Sequence, residues 1–315
     1  MRVSSLWKAV ASPYIQLAIA MCMIGSFIVV NKVLSASVPV FVASGIRLTI
    51  GAVILNGLLW YWERGYPKLS RRDFLIVFTQ SFVGVFLFSI CLLYGVKHTS
   101  AVESGIITST TPAAIGIISL LFFKERFNRY QITGIALALA GALVINVYGV
   151  LSGSQWGGSL LGNLLIFGAV IGEAIFMTFS KLLSANISPL ASAALTSSIS
   201  SVLFLPVAIY QAAHMELANL SAGTWGLLLY TGVVITVLAI LLLNRAMSQI
   251  ATGSSAVFSA LMPVSAVVLS YAVLGESIYW YHGVGIVLVL AGIFSISRQS
   301  KPRAAADSQQ SRISM

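Results

Sequence analysis

The sequence predicts an all-α membrane protein of ten transmembrane helices, arranged as two inverted five-helix repeats. Three observations lead there. The first is composition: of 315 residues, 58% are hydrophobic and 8% charged, with a mean hydropathy of +0.96, whereas a soluble domain carries about 25% charged residues. The second is the recurrence of apolar runs long enough to cross ~30 Å of hydrocarbon at 1.5 Å per residue. The third is internal repetition. Residues 101–145 recur without a gap at 252–296, and 12 of the 45 aligned pairs are identical. Those identities fall where mechanics would put them: Pro112 with Pro263, Glu125 with Glu276, Gly134 with Gly285 and Gly141 with Gly292. A repeat of this length fixes the architecture before any motif is read.

Ten segments are expected, at 14–31, 40–62, 74–95, 100–123, 131–148, 160–180, 189–210, 224–244, 252–274 and 280–297. With no water in the hydrocarbon layer, continuous helix is the economical way to satisfy the backbone. The runs are too long, and too little alternating, for β-barrel strands. Arg2 and Lys8 before the first segment resemble a signal-peptide start, but that run is long for one and has a counterpart in the second half, so it reads as a retained helix. The second segment carries Arg47. The third is rich in aromatics (Phe78, Phe82, Phe86, Phe88, Tyr94) and aligns with the eighth at the same offset of 151. The fourth and ninth are centred on Pro112 and Pro263; the fifth and tenth carry the glycine pairs. The sixth contains Glu173, and its stretch FMTFSKLLSA echoes FIVVNKVLSA of the first at a slightly shorter offset. The expected domains are therefore a first repeat over 1–148, an extracytoplasmic linker over 149–159, a second repeat over 160–297 and a disordered tail over 298–315.

Charge gives orientation. Fifteen of the 18 basic residues fall on one side of this layout, in the N-terminus, the tail and the loops after the second, fourth, sixth and eighth segments. Only Lys32 and Lys97 fall on the other, and Arg47 lies within a segment. By the positive-inside rule both termini are cytoplasmic, and the expected location is the plasma membrane, the inner membrane of a bacterium. The net charge of +10 is then a topology signal, and no nucleic-acid partner is expected. Five segments per repeat make the second copy enter the membrane upside down. Two inverted halves give inward-open and outward-open states that are near mirror images, with a site near the midplane between them.

Gly25-Ser26 with Lys32, Arg47 in ASGIRLTIGAVIL, and HTSAVESGIITSTTPAAIGIISLLFFKERF followed by QITGIALALAGALVI resemble the EamA family of the drug/metabolite transporter superfamily. The second copy, SQIATGSSAVFSALMPVSAVVLSYAVLGES followed by HGVGIVLVLAGIF, is similar to the family's second domain. The resemblance implies ten helices in five-plus-five inverted repeats, export of amino acids or other small metabolites, and a cavity lined by the first, third, fourth, sixth, eighth and ninth helices. Three positions depart from the family pattern: Ile24 stands where many members carry Trp, and Glu103 and Glu173 stand where small, apolar or aromatic residues are usual.

The residues themselves supply the candidates. A charge near the bilayer centre costs about 2.5–3.5 kcal/mol on insertion scales and marks function by default, which singles out Arg47, Glu103 and Glu173. Arg47 and Glu103 lie at depths that permit a pair, whose plainer role is to fasten two helices. Glu173, roughly 20 Å below the outer end of its helix, is a carboxylate for a coupling proton or a substrate amino group. Gln80, Thr231 and Thr236 can hydrogen-bond substrate or neighbouring helices. Pro112 and Pro263 each remove a backbone hydrogen bond and read as hinges or as static kinks. Gly134, Gly141, Gly285 and Gly292 read as helix packing. The terminal charges Glu125 and Glu276 read as interfacial, and Lys32, Lys97, Lys181 and Arg245 as snorkelling.

An enzyme is not expected. His98, His214 and His282 are scattered, and neither H-E-x-x-H nor G-x-S-x-G occurs. No phosphate-binding G-x-x-x-x-G-K-[ST] motor is present. Cys22 and Cys91 read as packed thiols, so no metal or cofactor is implied. The expected partners are a small-molecule substrate, the lipid bilayer and a coupling proton. A non-transporting scaffold or sensor is the competing class, weakened by the lack of an attached soluble domain.

Overall fold

Within the described residues the apolar runs are helical, and the ends are set by local chemistry. The computed structural model describes residues 12–34, 37–98, 107–108, 110–123, 128–151, 160–215, 220–250, 252–274 and 280–297. Among them there is no β-strand. In chain order the helices are α1 (Pro13–Leu34), α2 (Val40–Glu63), α3 (Arg71–Ser81), α4 (Phe88–His98), α5 (Thr111–Phe123), α6 (Arg129–Leu151), α7 (Leu160–Phe179), α8 (Pro189–Ala213), α9 (Ala222–Tyr230), α10 (Ile240–Met247), α11 (Thr252–Ser259), α12 (Leu261–Leu274) and α13 (Trp280–Ser297).

Serine caps open three of them. Ser70, Ser188 and Ser221 accept from the backbone N–H three residues on, at 3.0, 2.9 and 3.1 Å, which satisfies an otherwise orphaned donor. Asn128 and Gln131 form a reciprocal capping box for α6, at 3.0 and 3.1 Å. At its other end α2 stops on Arg64, the one described non-glycine residue with positive φ (59°), and Gly65 follows at 136°.

Two helical rods are not plain α-helix. Between α3 and α4 the chain widens into a π-helical segment at Phe82–Leu87, and between α9 and α10 into another at Thr231–Ala239. At the repeat offset of 151 the first maps onto 233–238, inside the second. Irregularities of this kind gather at functional sites. The fourth and ninth segments break as well. The described helix resumes at Thr111, with Pro112 as its second residue, and α11 and α12 part at Ala260, with Pro263 the third residue of α12. Each proline thus stands in a first turn, where its missing N–H costs least, and the run divides just before it.

Among the described residues, six helical runs are long and apolar enough to cross a membrane: Pro13–Asn31, Val40–Glu63, Arg71–Leu92, Leu160–Leu182, Pro189–Ala213 and Ala222–Met247. Shorter apolar helices cover Thr111–Phe122, Val257–Val273 and Gly283–Ser295. Because lipid is as apolar as leucine, such helices pair through small residues and polar contacts rather than through hydrophobic burial. The most extensive pairing is α6 with α13. A Cβ on Gly141 would lie 2.7 Å from Gly285 O, and one on Gly292 would lie 2.8 Å from Gly134 O, so all four predicted packing glycines meet at this crossing. Next come α2 with α8, α4 with α7 and α1 with α12. Hydroxyls bind α2 to α8: Thr49 Oγ1 lies 2.8 Å from Ser201 Oγ, and Asn56 Nδ2 donates to Ser198 Oγ at 2.8 Å.

The largest buried cluster joins Leu17 and Met21 of α1, Ile115 of α5, Met177 of α7, Leu243 of α10 and Phe258 of α11. Cys91 is half-buried, but Cys22 is exposed on the outside of α1, contrary to the expectation of two packed thiols. Glu103, Glu125, Glu276, residues 152–159 and the tail over 298–315 lie outside the described residues, as do the side chains of Lys32, Lys97 and Pro263.

Candidate functional site

Arg47 of α2 points at the second π-segment. Its Nη1 donates to Thr236 Oγ1 at 3.2 Å, and its guanidinium sits 4.8 Å from the centroid of the Phe27 ring on α1. Its Nε is buried with no hydrogen-bond partner. The partner of this intramembrane cation is thus a hydroxyl and a π-face; the expected mate, Glu103, lies outside the described residues. Thr236 itself donates to Thr231 O at 3.0 Å, five residues back, so its hydroxyl bridges the π-segment and the guanidinium. Beside it, Ser26 Oγ on α1 lies 2.7 Å from the Tyr230 hydroxyl. Arg47, Phe27, Ser26, Tyr230 and Thr236 thus bring α1, α2 and the α9–α10 rod together. Close approach permits it, because Gly51 and Gly232 leave no room for a Cβ against Thr236 and Ile50 respectively.

The second polar cluster involves the other irregular rod. Gln80, two residues before the first π-segment and 1% exposed, donates from Nε2 to Phe176 O of α7 at 3.0 Å, while its Oε1 is buried without a partner. Gly84 and Gly172 let the two helices touch: a Cβ on Gly172 would lie 2.8 Å from Val83 O. On the same helix Glu173 is half-buried. Its Oε2 lies 3.2 Å from Thr111 Oγ1 of α5, and among the described residues no cation pairs with it.

Thr111 also sits 2.9 Å from Thr108 O, the carbonyl four residues before Pro112 and therefore the one the proline cannot serve. A hydroxyl carries a single proton. Thr111 donates either to an ionised Glu173 or to Thr108 O, and in the second case a protonated Glu173 can donate to Thr111. The carboxyl group is thereby in hydrogen-bond contact with the helix break.

Of the predicted residues, Arg47 and Thr236 come together, Glu173 stands with Thr111 near the Pro112 break, and Gln80 fastens α3 to α7. Thr231 turns back to its own helix, donating to Leu228 O at 2.8 Å. Lys181 donates to Ile250 O, a specific tie between two loops rather than simple snorkelling. The aromatic series of the α3–α4 rod divides. Phe74 and Phe78 face outward, whereas Phe86 meets Phe204 of α8 edge-on at 5.1 Å. A groove of about 250 Å³ between α2 and α8, lined by residues such as Val42, Gly45 and Ala208, is apolar and touches none of the candidates.

Sequence reading missed the π-segments, Tyr230, Phe27 and Asp73. Asp73 is 1% exposed and accepts from Ser70 Oγ at 2.6 Å and from Ser184 N and Oγ at 3.0 and 2.8 Å. It binds the start of α3 to the loop after α7. The signal was available, since Ser70-x-x-Asp73 before an apolar run is a capping pattern.

The sequence pattern of the EamA-like transporter family matches this chain twice, over residues 11–147 and 160–298. The uncharacterized transporter YetK of Bacillus subtilis is 42% identical over 294 residues, covering 92% of this chain and 88% of that protein. A second Bacillus subtilis protein, the uncharacterized transporter YyaM, is 24% identical over 80% of this chain and 82% of its own length. A solved crystal structure superposes with a TM-score of 0.75 over 90% of this chain and 98% of its own, at 16% identity, a likeness of fold.

Proposed function

The chain belongs to the EamA-like transporter family, and from that premise we propose that it is a secondary transporter exporting amino acids or related small metabolites by alternating access. The observation that carries this reading is the presence of Arg47 and Glu173 inside membrane-length helices, each held by a threonine hydroxyl and neither matched to an opposite charge among the described residues. Charges so placed are expensive unless used. Arg47, with Nε still to be satisfied, presents a fork for a carboxylate. Glu173 receives an amino group or a coupling proton.

The architecture proposed with it is ten crossings in two inverted repeats, both termini cytoplasmic, in the plasma membrane of a bacterium. Packing is consistent with the exchange of halves. The α4–α7 contact corresponds to α10–α1, the α5–α7 contact to α12–α1, and the α6–α13 and α2–α8 pairs each correspond to themselves. The paired π-segments and the paired proline breaks supply matching flexible points on both sides of such an exchange.

Counterflow in proteoliposomes tests the function. Vesicles loaded with an unlabelled amino acid should transiently concentrate the labelled one, and Arg47→Ala protein of unchanged melting behaviour should not. Folded wild-type protein that gives no counterflow across amino acids, amines and carboxylic acids would favour the scaffold reading.

A further inference from the structure

The loop between α2 and α3 is built rather than slack. Arg64 and Gly65 turn the chain with positive φ, and Tyr66 donates its hydroxyl to Asn56 Oδ1. Lys68 O accepts from Asn186 Nδ2 at 3.4 Å, and Ser70 caps α3. Arg64, Lys68, Arg71 and Arg72 all project from this frame and are exposed. Both acids of the same stretch are engaged elsewhere: Glu63 accepts from Ser188 Oγ at 2.8 Å, and Asp73 is enclosed by Ser70 and Ser184. Among the described residues none of the four cations has a side-chain hydrogen bond or ion pair.

Beside them lies a groove of about 400 Å³, lined by Leu69, Ser70, Arg71, Phe74 and Leu75. Its apolar side continues onto the exposed rings of Phe74 and Phe78, which stack along α3 through centroids 6.2 Å apart. Trp60 and Trp62 are exposed at the adjoining end of α2, as aromatic side chains are where a helix leaves the hydrocarbon. A cationic rim over an apolar, membrane-facing floor complements a headgroup phosphate with acyl chains attached.

We propose that this groove is a binding site for an anionic phospholipid, with the phosphate held by Arg71 and Lys68 and an acyl chain laid along Phe74 and Phe78. Arginine suits the role because its planar fork takes two phosphate oxygens at once. The proposal uses the membrane placement of α3 given above. Its test does not use transport, so either can fail alone.

Full-length protein is placed in nanodiscs of mixed phosphatidylglycerol and phosphatidylcholine, which present the same lipids to both faces, then released and weighed with its retained lipids by native mass spectrometry. Wild-type protein should keep one phosphatidylglycerol per chain. Lys68→Gln/Arg71→Gln should lower that occupancy at least tenfold with an unchanged melting curve. Arg129→Gln removes a cation outside the groove, one stacked 5.4 Å from the Tyr130 ring, and should retain the lipid. Equal retention in the double variant and in Arg129→Gln, or retention of phosphatidylcholine in place of phosphatidylglycerol, would overturn the proposal. Phe74→Ser separates the two halves of the argument: it should weaken retention of long-chain phosphatidylglycerol more than that of a short-chain form, and equal weakening would remove the acyl-chain contact.

Discussion

The α6–α13 crossing and the two polar clusters treat the same repeat in opposite ways. At the crossing both copies contribute alike: Gly141 rests on Gly285 O and Gly292 on Gly134 O, and the offset of 151 exchanges the members of those pairs. In the clusters the copies disagree. Gln80 corresponds to Thr231, and Glu173 aligns near Ile24. Backbone approach has no chemical variants, because only the absence of a side chain allows it, so both copies keep it. A polar group in a membrane is costly and need stand only where it is used. The repeat therefore supplies the backbone packing, and the polar contacts of the clusters come from single-copy side chains.

The comparison breaks most visibly if the crossing is not what holds the halves together. Gly141→Ala and Gly292→Ala should each destabilise by about 1–3 kcal/mol, the usual cost of overpacking, and Gly141→Leu should abolish folded protein. Gly57→Ala, with nothing within 4 Å of the added Cβ, should be neutral or slightly stabilising. Fluorescence-detected size exclusion with a thermal ramp reads all four. Unequal losses at the two crossing glycines would show that the copies do not contribute alike.

A smaller effect on folding and a larger one on activity is expected in the clusters. Arg47→Gln should keep the α2 contacts and melt within a few degrees of wild type, yet lose roughly tenfold or more in uptake of carboxylate-bearing substrates, the scale of one charge-assisted hydrogen bond. Arg47→Lys should fail nearly as badly, since an ammonium cannot reach Thr236 and lie over Phe27 with the same planar group. Full activity in Arg47→Lys would reduce Arg47 to a fastening charge.

Much of this fold was legible because hydropathy is a long-range average: the six long spans fall within a few residues of the expected segments. The glycine pairs were legible because their spacing recurs. The π-segments were not, since Phe82–Leu87 and Thr231–Ala239 carry no composition that distinguishes them from α-helix; their widening shows only where Gly172 and Gly51 bring a neighbouring helix close. Proline positions were legible, but the helix restarting at Thr111 was not, because a break depends on what satisfies the freed carbonyl. Glu173 was visible as an oddity of type, whereas its partner Thr111 lies 62 positions away, a distance along the chain that no local pattern spans.

Glu173→Gln sharpens the comparison from the other side, because its aligned neighbour Ile24 shows that the architecture does not require a carboxylate there. If Glu173 carries the coupling proton, the variant should lose flux driven by a pH gradient while retaining substrate exchange. If it holds a substrate amine, exchange should fail as well. Wild-type behaviour between about pH 6 and 8 would leave it a half-buried polar group of the helix bundle.

The smallest expected effect falls on Thr111, and it bears most directly on how a single-copy group acts on the shared scaffold. Thr111 Oγ1 stands between Glu173 Oε2 and Thr108 O, and its one proton can satisfy only one of them at a time. With Glu173 ionised the hydroxyl is drawn to the carboxylate; with Glu173 protonated, the chain of donors runs from Glu173 through Thr111 to the carbonyl beside the Pro112 break. Thr111→Ser preserves the hydroxyl and should leave both flux and exchange near wild type. Thr111→Val keeps the shape and removes the relay. It should reduce pH-driven flux by up to about tenfold, the value of one net hydrogen bond of roughly 0.5–1.5 kcal/mol, with exchange at fixed pH largely intact. Double-mutant analysis decides between a relay and two separate effects: in a Glu173→Gln background the further change Thr111→Val should cost little, since the proton it would pass on is already gone. Fully additive losses would mean that Thr111 acts on the helix break alone.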